Sequence, residues 1–374
     1  MYNRWKEDKG QKRTDNPLNL TPEDRSRIDN LIVGGERDRQ RARAIFDNHQ
    51  TNETEKQYGR VIKDFREFCE GTEGLSYDSF GEKEIINYVN NCIKRNKGYQ
   101  WLAGIKPGLE RVEELRGIEK LNTAFTGVAV KMIAGAKKMA AQMAPPVRKK
   151  EAIPVKLVER ILQEKILPYK YDVMKINLEI FRTVYKWVIQ AKTICRLEEF
   201  LKLRAEDFRP LEEGDGIMVS FCRGAKNDQM HRGSERALTR EVNKIICPYE
   251  LTIMYFERCN LRMVKGDKSF VCCAINRNGD AKKIGITRQT AAAGSEKLLR
   301  MYGEDPRKYG ETSGKRLGVT EAFNKGVPID KIQEIGNWRT PEMPLRYIHA
   351  TDRYKVSLAK QLSFGADRRE DRRE

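Results

Sequence analysis

The sequence contains very little histidine. His49, His231 and His349 are its only three histidines and lie far apart, so a zinc finger or another histidine-based metal site has too few ligands. The eight cysteines form no Cys-x-x-Cys pair, and most of them lie in apolar stretches. This pattern predicts buried thiols in a reducing compartment. We therefore expect no metal ion and no cofactor.

Long hydrophobic runs and an excess of acidic residues are also missing. No stretch approaches the roughly 18 apolar residues of a membrane-spanning helix, and no short hydrophobic segment follows a basic N-terminus. We expect neither a membrane partner nor secretion. The 72 lysines and arginines outnumber the 54 acidic residues, which gives a net charge of +18 spread along the chain. This excess indicates a nucleic acid as partner, although charge alone also fits an ordinary basic protein.

Composition divides the 374 residues into an arm, two domains and a tail. Residues 1–50 are polar and predict a loosely ordered N-terminal arm. Residues 51–144 predict a small, basic, helical domain, with amphipathic helices from Thr54, over Glu82–Lys94 and over Thr123–Met143. The last of these helices carries three candidate DNA-binding residues, Lys131, Lys137 and Lys138.

The best domain boundary is the basic segment 145–150, in which two prolines precede Arg148, Lys149 and Lys150. We interpret it as a linker, and its three basic residues are candidates for contact with nucleic acid. Residues 151–362 then predict helices over 155–167, 174–191 and 196–203, and an antiparallel hairpin formed by 217–221 and 236–239. The predicted fold class is mainly α with a small antiparallel β-hairpin or sheet (α+β). Residues 363–374 predict a charged tail.

Three segments of the second domain carry residues suited to phosphate chemistry. In the first, Glu199 follows Arg196 by three residues on a helix, a spacing that alone is typical of a solvated ion pair. The second begins a helix near Ser313 that carries Arg316 and ends at Gly326. Because another helix follows, this segment fits a DNA-binding helix-turn-helix equally well. In the third, Tyr347 follows a tryptophan by nine residues, in a short helix begun by proline.

Together these segments resemble the catalytic domain of the tyrosine recombinases, the phage-integrase-like enzymes. Their pattern is an arginine with an acid three residues later, a hairpin lysine, His-x-x-Arg, and a histidine or tryptophan nine residues before a tyrosine. The resemblance covers roughly residues 150–362. It implies a catalytic site of Arg196, Glu199, Lys226, Ser313, Arg316, Trp338 and Tyr347. One position departs, because Ser313 stands where the family has histidine and can at most donate a hydrogen bond to a phosphate oxygen.

The resemblance implies cleavage by a covalent 3'-phosphotyrosyl intermediate on Tyr347. Arg196 and Arg316 would hold the scissile phosphate in place of a metal, and rejoining needs no ATP. Lys226, in the turn of the predicted hairpin, is the candidate that protonates the departing 5' oxygen, with Lys202 as the nearby alternative. The group that accepts the proton of Tyr347 stays open. Cys195 is interpreted as a packed thiol.

The resemblance also implies partners. It predicts a C-shaped clamp on double-stranded DNA, with residues 51–144 as the core-binding domain, a dimer on each site and a tetramer in synapsis on Holliday-junction intermediates. An apolar stripe of Tyr354, Leu358 and Leu362 predicts packing either on its own core or on a neighbouring protomer, and the family favours the neighbour.

Two alternatives remain open at this point. A type IB topoisomerase shares the arginine, lysine and tyrosine chemistry, and a DNA-binding relative that no longer cleaves is compatible with Ser313. The long polar arm and the scarcity of histidine resemble recombinases of eukaryotic mobile elements and large viruses more than those of phages. In that case we expect a nuclear protein, and otherwise a cytoplasmic one. The target sequence, and the choice among integration, excision and inversion, are not predicted.

Overall fold

The structure is a computed structural model that describes residues 35–38, 40, 52–116, 123–144, 149–212, 214, 216–223 and 233–348. The chain separates into two compact units that divide after Val147. Several sequence predictions concern residues outside the described ranges: nearly all of the arm, Arg148, Lys226, the three histidines, the stripe of Tyr354, Leu358 and Leu362, and the tail. No helix in the described part of the chain is long and apolar enough to cross a membrane.

The first unit is built from four described helices. They are α1 (Asn52–Glu70), α2 (Glu82–Lys94), α3 (Tyr99–Arg116) and α4 (Gly127–Met143). The bounds predicted for α2 are confirmed. The prediction that the last helix begins at Thr123 is wrong, because the Thr126 hydroxyl accepts a hydrogen bond from the Ala129 amide and caps the helix there.

Helix α3 was not predicted, because its sequence contains residues that normally break helices. Pro107 lies inside the helix, and two glycines flank it in the same stretch. In the structure these glycines face α1. A Cβ atom on Gly104 would lie 3.4 Å from the Val61 side chain, and one on Gly108 would lie 3.6 Å from Tyr58. Close packing between the two helices therefore compensates for the poor helix propensity.

The core of the first unit is aromatic. The ring of Phe65 packs edge-on against Phe80 and Tyr88, with centroid distances of 5.2 and 5.1 Å. The buried Tyr88 hydroxyl donates a hydrogen bond to Asp64 at 2.8 Å and accepts one from the Trp101 indole at 3.2 Å. These contacts join α1, α2 and α3 into one small domain.

The second unit is larger and mainly helical. Its helices are α5 (Val155–Lys165), α6 (Leu178–Thr193), α7 (Leu197–Leu201), α8 (Pro248–Arg258), α9 (Arg288–Met301), α10 (Ser313–Asn324), α11 (Ile329–Ile335) and α12 (Glu342–Leu345). Its strands are β1 (Phe208–Pro210), β2 (Gly216–Ser220), β3 (Glu235–Thr239), β4 (Cys273–Ile275) and β5 (Ala281–Gly285).

Helix α6 is the central element of this unit. It packs against α5, α8, α9 and α10 and is buried on nearly all sides. Tyr185 on α6 stacks on Tyr255 of α8, with ring centroids 4.2 Å apart. The helix begins at Leu178, four residues later than predicted, because the Asn177 side chain accepts a hydrogen bond from the Ile180 amide.

Two small antiparallel sheets complete the unit. The predicted hairpin is confirmed as β2 and β3, with Met218 opposite Ala237, and β1 adds a third strand beside β2. Strands β4 and β5 form a separate pair. The predicted fold class, mainly α with a small antiparallel sheet, is confirmed.

The cysteines are free thiols, and seven of the eight are buried. Burial raises the pKa of Cys195 to about 11, so this thiol is protonated at neutral pH. The prediction of buried thiols is wrong for Cys222, which is exposed just beyond the end of β2. There the strand leaves the core for the hairpin turn.

Candidate active site

A strained turn presents the first arginine of the site. Helix α6 ends in Ile194, a β-branched residue in the left-handed region with φ of 50° and only 3% of its surface exposed. Such a conformation costs on the order of 1–3 kcal/mol and persists only where packing enforces it. Ile194 packs in a cluster with Val319, Ile332 and Trp338. The cluster therefore fixes the turn that leads to Arg196.

Arg196 and Glu199 form a buried pair at the start of α7. Glu199 accepts hydrogen bonds from the Arg196 amide at 2.7 Å and from Nη1 at 2.8 Å. The side chains are only 19% and 6% exposed, so this is no solvated surface pair. Burial alone would raise the pKa of Glu199, but the hydrogen bond from the Arg196 amide and the charges of Lys315 and Arg196 lower it. The ionised carboxylate thus holds Arg196 in place.

Helix α10 lies unusually close to α6. A Cβ atom on Gly318 would lie 1.9 Å from the Ala191 carbonyl oxygen, so only glycine allows this approach. At the start of α10, the fully buried Ser313 hydroxyl accepts a hydrogen bond from the Gly310 amide at 2.9 Å. The helix thereby places Arg316 beside the C-terminal segment.

Arg316 holds the backbone around the candidate nucleophile. Its Nη1 donates hydrogen bonds to the carbonyl oxygens of Arg346 at 3.0 Å and Tyr347 at 3.3 Å. Its Nε is buried and has no partner among the described residues. The guanidinium carbon lies 5.4 Å from the centroid of the Tyr347 ring. The structure therefore brings the second predicted arginine and the predicted tyrosine together.

Trp338 packs on the ring of Tyr347, with centroids 5.1 Å apart. The indole folds back over the chain: a Cβ atom on Gly336 would lie 2.0 Å from it, and Asn337 between them has φ of 49°. Tyr347 follows the last residue of α12, Leu345, by two positions, so the prediction that it lies within this helix is wrong. A turn, not a helix, presents its side chain.

Lys315 belongs to the same cluster and was not predicted. Its side chain is fully buried, and its Nζ lies 4.1 Å from the Trp338 ring centroid and 5.4 Å from that of Tyr347. The Nζ has no hydrogen-bond partner among the described residues. Burial, together with the charge of Arg196, lowers the pKa of Lys315 to about 7. The available signal was its position between Ser313 and Arg316 on a helix with apolar neighbours.

Arg236 is a second residue of the site that was not predicted from the sequence. It lies on β3, where alternate residues are buried, and is 8% exposed. Its guanidinium carbon lies 4.4 Å from the Phe221 ring centroid, and its Nη1 has no partner among the described residues. Burial lowers the pKa of Arg236, and its charge in turn acts on Lys315. The alternation along β3 could have identified it.

The hairpin that carries Lys226 begins beside Glu199, although Lys226 lies outside the described residues. Glu199, Asp207, Cys222 and Arg223 line one small pocket. Arg223 anchors the start of the turn by ion pairs to Asp207 and to Glu206, the latter at 2.8 Å. The alternative lysine, Lys202, is exposed at the C-terminal end of α7.

The candidate DNA-binding residues lie on α4 of the first unit and at the start of the second unit. Lys131 and Lys138 are exposed on α4, and Lys137 is half-buried, with its Nζ 5.6 Å from the Tyr99 ring centroid. In the second unit Lys149 is exposed, and Lys150 donates a hydrogen bond to the Arg307 carbonyl at 2.7 Å. Within the described ranges, no three histidine, cysteine or acidic side chains form a group that could hold a metal ion.

No family model and no curated protein matches this sequence. Solved structures do match. The XerH site-specific recombinase bound to palindromic difH substrate, in a post-cleavage complex, aligns with a TM-score of 0.57 and 14% identity, over 94% of this chain and 98% of that chain. The XerH pre-cleavage complex with difH substrate aligns with a TM-score of 0.53 and 12% identity, over 94% of this chain and 95% of that chain. The Tn1549 transposon integrase in complex with transposon right end DNA aligns with a TM-score of 0.50 and 13% identity, over 86% of this chain and 97% of that chain.

This chain has the tyrosine-recombinase fold. The predicted fold is confirmed over most of the chain. At 12–14% identity the likeness shows a shared fold.

Proposed function

We propose that this protein is a site-specific DNA recombinase that cleaves and rejoins DNA through a 3'-phosphotyrosyl intermediate on Tyr347, without metal or ATP. The observation that carries the proposal is the cluster of Lys315, Arg316 and Trp338 around Tyr347 in the recombinase fold. Arg196 lies close enough to this cluster for its charge to act on Lys315. A phosphodiester that enters this cluster meets several fixed positive charges beside one phenol. Such preorganised charge stabilises the phosphorane-like transition state.

Each residue has a role in this proposal. Arg196, fixed by Glu199, and Arg316 bind the non-bridging oxygens of the scissile phosphate. Tyr347 attacks phosphorus and becomes the covalent link, which conserves the energy of the broken bond for rejoining. Lys226 protonates the departing 5' oxygen, and Trp338 positions the Tyr347 ring. Ser313 donates at most one hydrogen bond to the phosphate.

The partner in this proposal is double-stranded DNA. XerH and the Tn1549 integrase were solved in complexes with their DNA, and this chain carries a net charge of +18. We assign the first unit to core binding and the second to catalysis, as a clamp on the duplex. Two protomers on each site and four in synapsis complete the proposal, with the stripe of Tyr354, Leu358 and Leu362 between protomers.

The decisive experiment is covalent trapping on a suicide substrate. Binding sites are first selected from a random duplex pool with the Tyr347→Phe protein, which retains the arginines. Selected duplexes are then nicked near the cleavage position, so that the released strand diffuses away and the adduct accumulates. We expect a denaturation-resistant adduct with wild type and none with Tyr347→Phe. Tyr309→Phe, on the same unit but outside the cluster, is the matched control.

Other outcomes identify the alternatives. A gel shift without any adduct indicates a DNA-binding relative that does not cleave. An adduct accompanied by relaxation of plasmids, without strand exchange between two sites, indicates a topoisomerase-like enzyme. An adduct that persists in Tyr347→Phe overturns the assignment of the nucleophile.

A further inference from the structure

We propose that Lys315 is a catalytic residue whose neutral amine accepts the proton of the Tyr347 hydroxyl during cleavage and returns it during rejoining. This inference rests on the proposed function and adds the base that it lacks. It assigns the task to a residue directly before the second arginine of the site.

The first support is the position of the amine. Lys315 Nζ lies over the Trp338 ring at 4.1 Å and over the Tyr347 ring at 5.4 Å from their centroids, so these two rings enclose it. Catalytic hydrogen bonds are often long in a free enzyme and shorten when substrate binds. The proposal requires that the lysine change its rotamer when the phosphate enters, so that Nζ reaches the hydroxyl.

The second support is that no hydrogen bond among the described residues accounts for this amine. The side chain is fully buried, and its Nζ has no hydrogen-bond partner among the described residues. A buried polar group without a partner costs about 1–3 kcal/mol, and more when charged. Packing alone is served better by methionine or leucine at this position. A lysine at this position is explained if its amine gains a hydrogen-bonding partner only during the reaction.

The third support is the charge around the amine. The charges of Arg196 and Glu199, at the start of α7, and of Arg236, on β3, act on it, and Arg316 follows it on α10. Burial and the two arginines lower the pKa of Lys315 to about 7, while Glu199 and Cys195 oppose this shift. A large part of the population is therefore neutral near pH 7 and can accept a proton.

The fourth support is the residue that replaces the family histidine. The Ser313 hydroxyl is fully buried and bonded to the Gly310 amide, and a serine hydroxyl is a poor proton acceptor at neutral pH. The three histidines lie elsewhere in the sequence, at positions 49, 231 and 349. Lys315 lies two residues after Ser313, at the same end of α10.

The proposed step is balanced in protons and bonds. The Tyr347 O–H bond breaks as the tyrosine oxygen bonds to phosphorus, and the proton passes to the Lys315 amine, which becomes an ammonium. The bond from phosphorus to the 5' oxygen breaks, and that oxygen takes a proton from the separate acid, Lys226. In rejoining, the Lys315 ammonium returns the proton to the departing tyrosine oxygen.

The test compares two nicked suicide duplexes in single-turnover cleavage. One has the natural 5' oxygen at the scissile bond, and the other has a bridging 5' sulfur, which departs without a proton. We expect Lys315→Met to slow adduct formation by roughly 10²–10⁴-fold on both duplexes, because it removes the base and not the acid. Lys226→Ala is expected to cleave the duplex with the 5' oxygen slowly and the duplex with the bridging 5' sulfur fast. Lys325→Met, at an exposed site at the end of α10, is the matched control.

A pH profile of single-turnover cleavage provides the second measurement. The wild-type cleavage rate should fall below about pH 7 as Lys315 becomes protonated, and Lys315→Met should lose this dependence. Lys315→Arg, which keeps the charge but not the basicity, should be as slow as Lys315→Met. Binding of the selected duplex by each variant reports whether the fold is intact.

Three results would overturn this inference while the proposed function stands. The first is cleavage at the wild-type rate by Lys315→Met or Lys315→Arg. The second is recovery of the Lys315→Met cleavage rate on the duplex with the bridging sulfur. The third is a Lys315→Met cleavage rate that still falls below about pH 7 as the wild-type rate does. Rescue by sulfur identifies Lys315 as the acid, and activity of the arginine variant identifies it as a phosphate ligand. Failure of wild type to form any adduct instead overturns the proposed function itself.

Discussion

At the residue scale, the site is a concentration of buried positive charge. Arg236 and Lys315 are 8% and 0% exposed, and each has a nitrogen without a partner among the described residues. Glu199 is the acidic side chain that acts on both of them. Buried charges that lack full compensation destabilise a fold. This arrangement fits the proposed binding of a phosphate, which would supply the missing negative charge.

Replacement of Lys315 should therefore stabilise the protein in a pH-dependent way. The pKa of Lys315 falls from 10.5 to about 7 on folding, so between these pH values the unfolded chain binds a proton that the folded chain does not. Wild-type stability should rise with pH across this window, because the cost of the buried charge disappears. We expect Lys315→Met to be more stable by about 1–3 kcal/mol at pH 6, with the difference shrinking towards pH 10.

Urea denaturation of both proteins at several pH values measures this effect. The control is again Lys325→Met, whose lysine is exposed and whose difference from wild type should not depend on pH. A Lys315→Met protein that is less stable at every pH, or whose advantage is constant, contradicts the prediction.

At the element scale, the contact between α6 and α10 determines the geometry of the site. Arg196 follows the end of α6, and Arg316 lies on α10, so the distance between the helices sets the distance between the two arginines. Gly318 makes that contact possible, because a Cβ atom there would lie 1.9 Å from the Ala191 oxygen. A backbone atom cannot move away as a flexible side chain can.

Gly318→Ala should accordingly destabilise the second unit and separate the arginines. We expect a loss of about 3 kcal/mol in the free energy of unfolding, measured by urea denaturation. Gly135→Ala on α4 is the control, since nothing lies within 4 Å of its Cβ position, and it should be neutral or stabilising by about 0.5–1 kcal/mol. Equal effects of the two alanines would show that helix packing at Gly318 is looser than the structure indicates.

At the scale of the whole molecule, net charge governs the proposed binding of DNA. A net charge of +18 predicts strong, sequence-independent attraction to phosphates that weakens with salt. The lysines of α4 form one part of this charge: Lys131 and Lys138 are exposed, and Lys137 is half-buried. They are far along the sequence from the candidate catalytic residues and belong to the other compact unit.

Neutralising these lysines should weaken binding without changing specificity. In the Lys131→Gln, Lys137→Gln, Lys138→Gln triple variant, we expect the affinity to depend less steeply on salt. The magnitude of the slope of log affinity against log salt should fall by roughly 0.9 for each DNA phosphate that the variant no longer neutralises. The matched triple arginine variant keeps the charge and should keep the slope. Filter binding over a salt series gives both slopes. An unchanged slope in the glutamine variant places these lysines away from DNA.

Local spacing made part of this molecule predictable. Tyr347 follows Trp338 by nine residues, and Glu199 follows Arg196 by three. Residues this close in sequence stay close in space when the chain folds. The bounds of α2 and the pairing of β2 with β3 follow from the periodicity of apolar residues and were predicted for the same reason. The sequence alone therefore determined the fold class and the identity of most candidate site residues.

Only the tertiary structure decided which side chains meet. Helix α3 exists because Gly104 and Gly108 pack against α1, and the left-handed Ile194 is held by residues of distant helices. Lys315 and Arg236 have ordinary surroundings in sequence, and their burial beside Arg196 depends on how α10 and β3 pack on the core. Burial and electrostatic environment are properties of several segments at once. For this reason local sequence determined the candidate nucleophile, while only the packed structure decided which amine lies beside it.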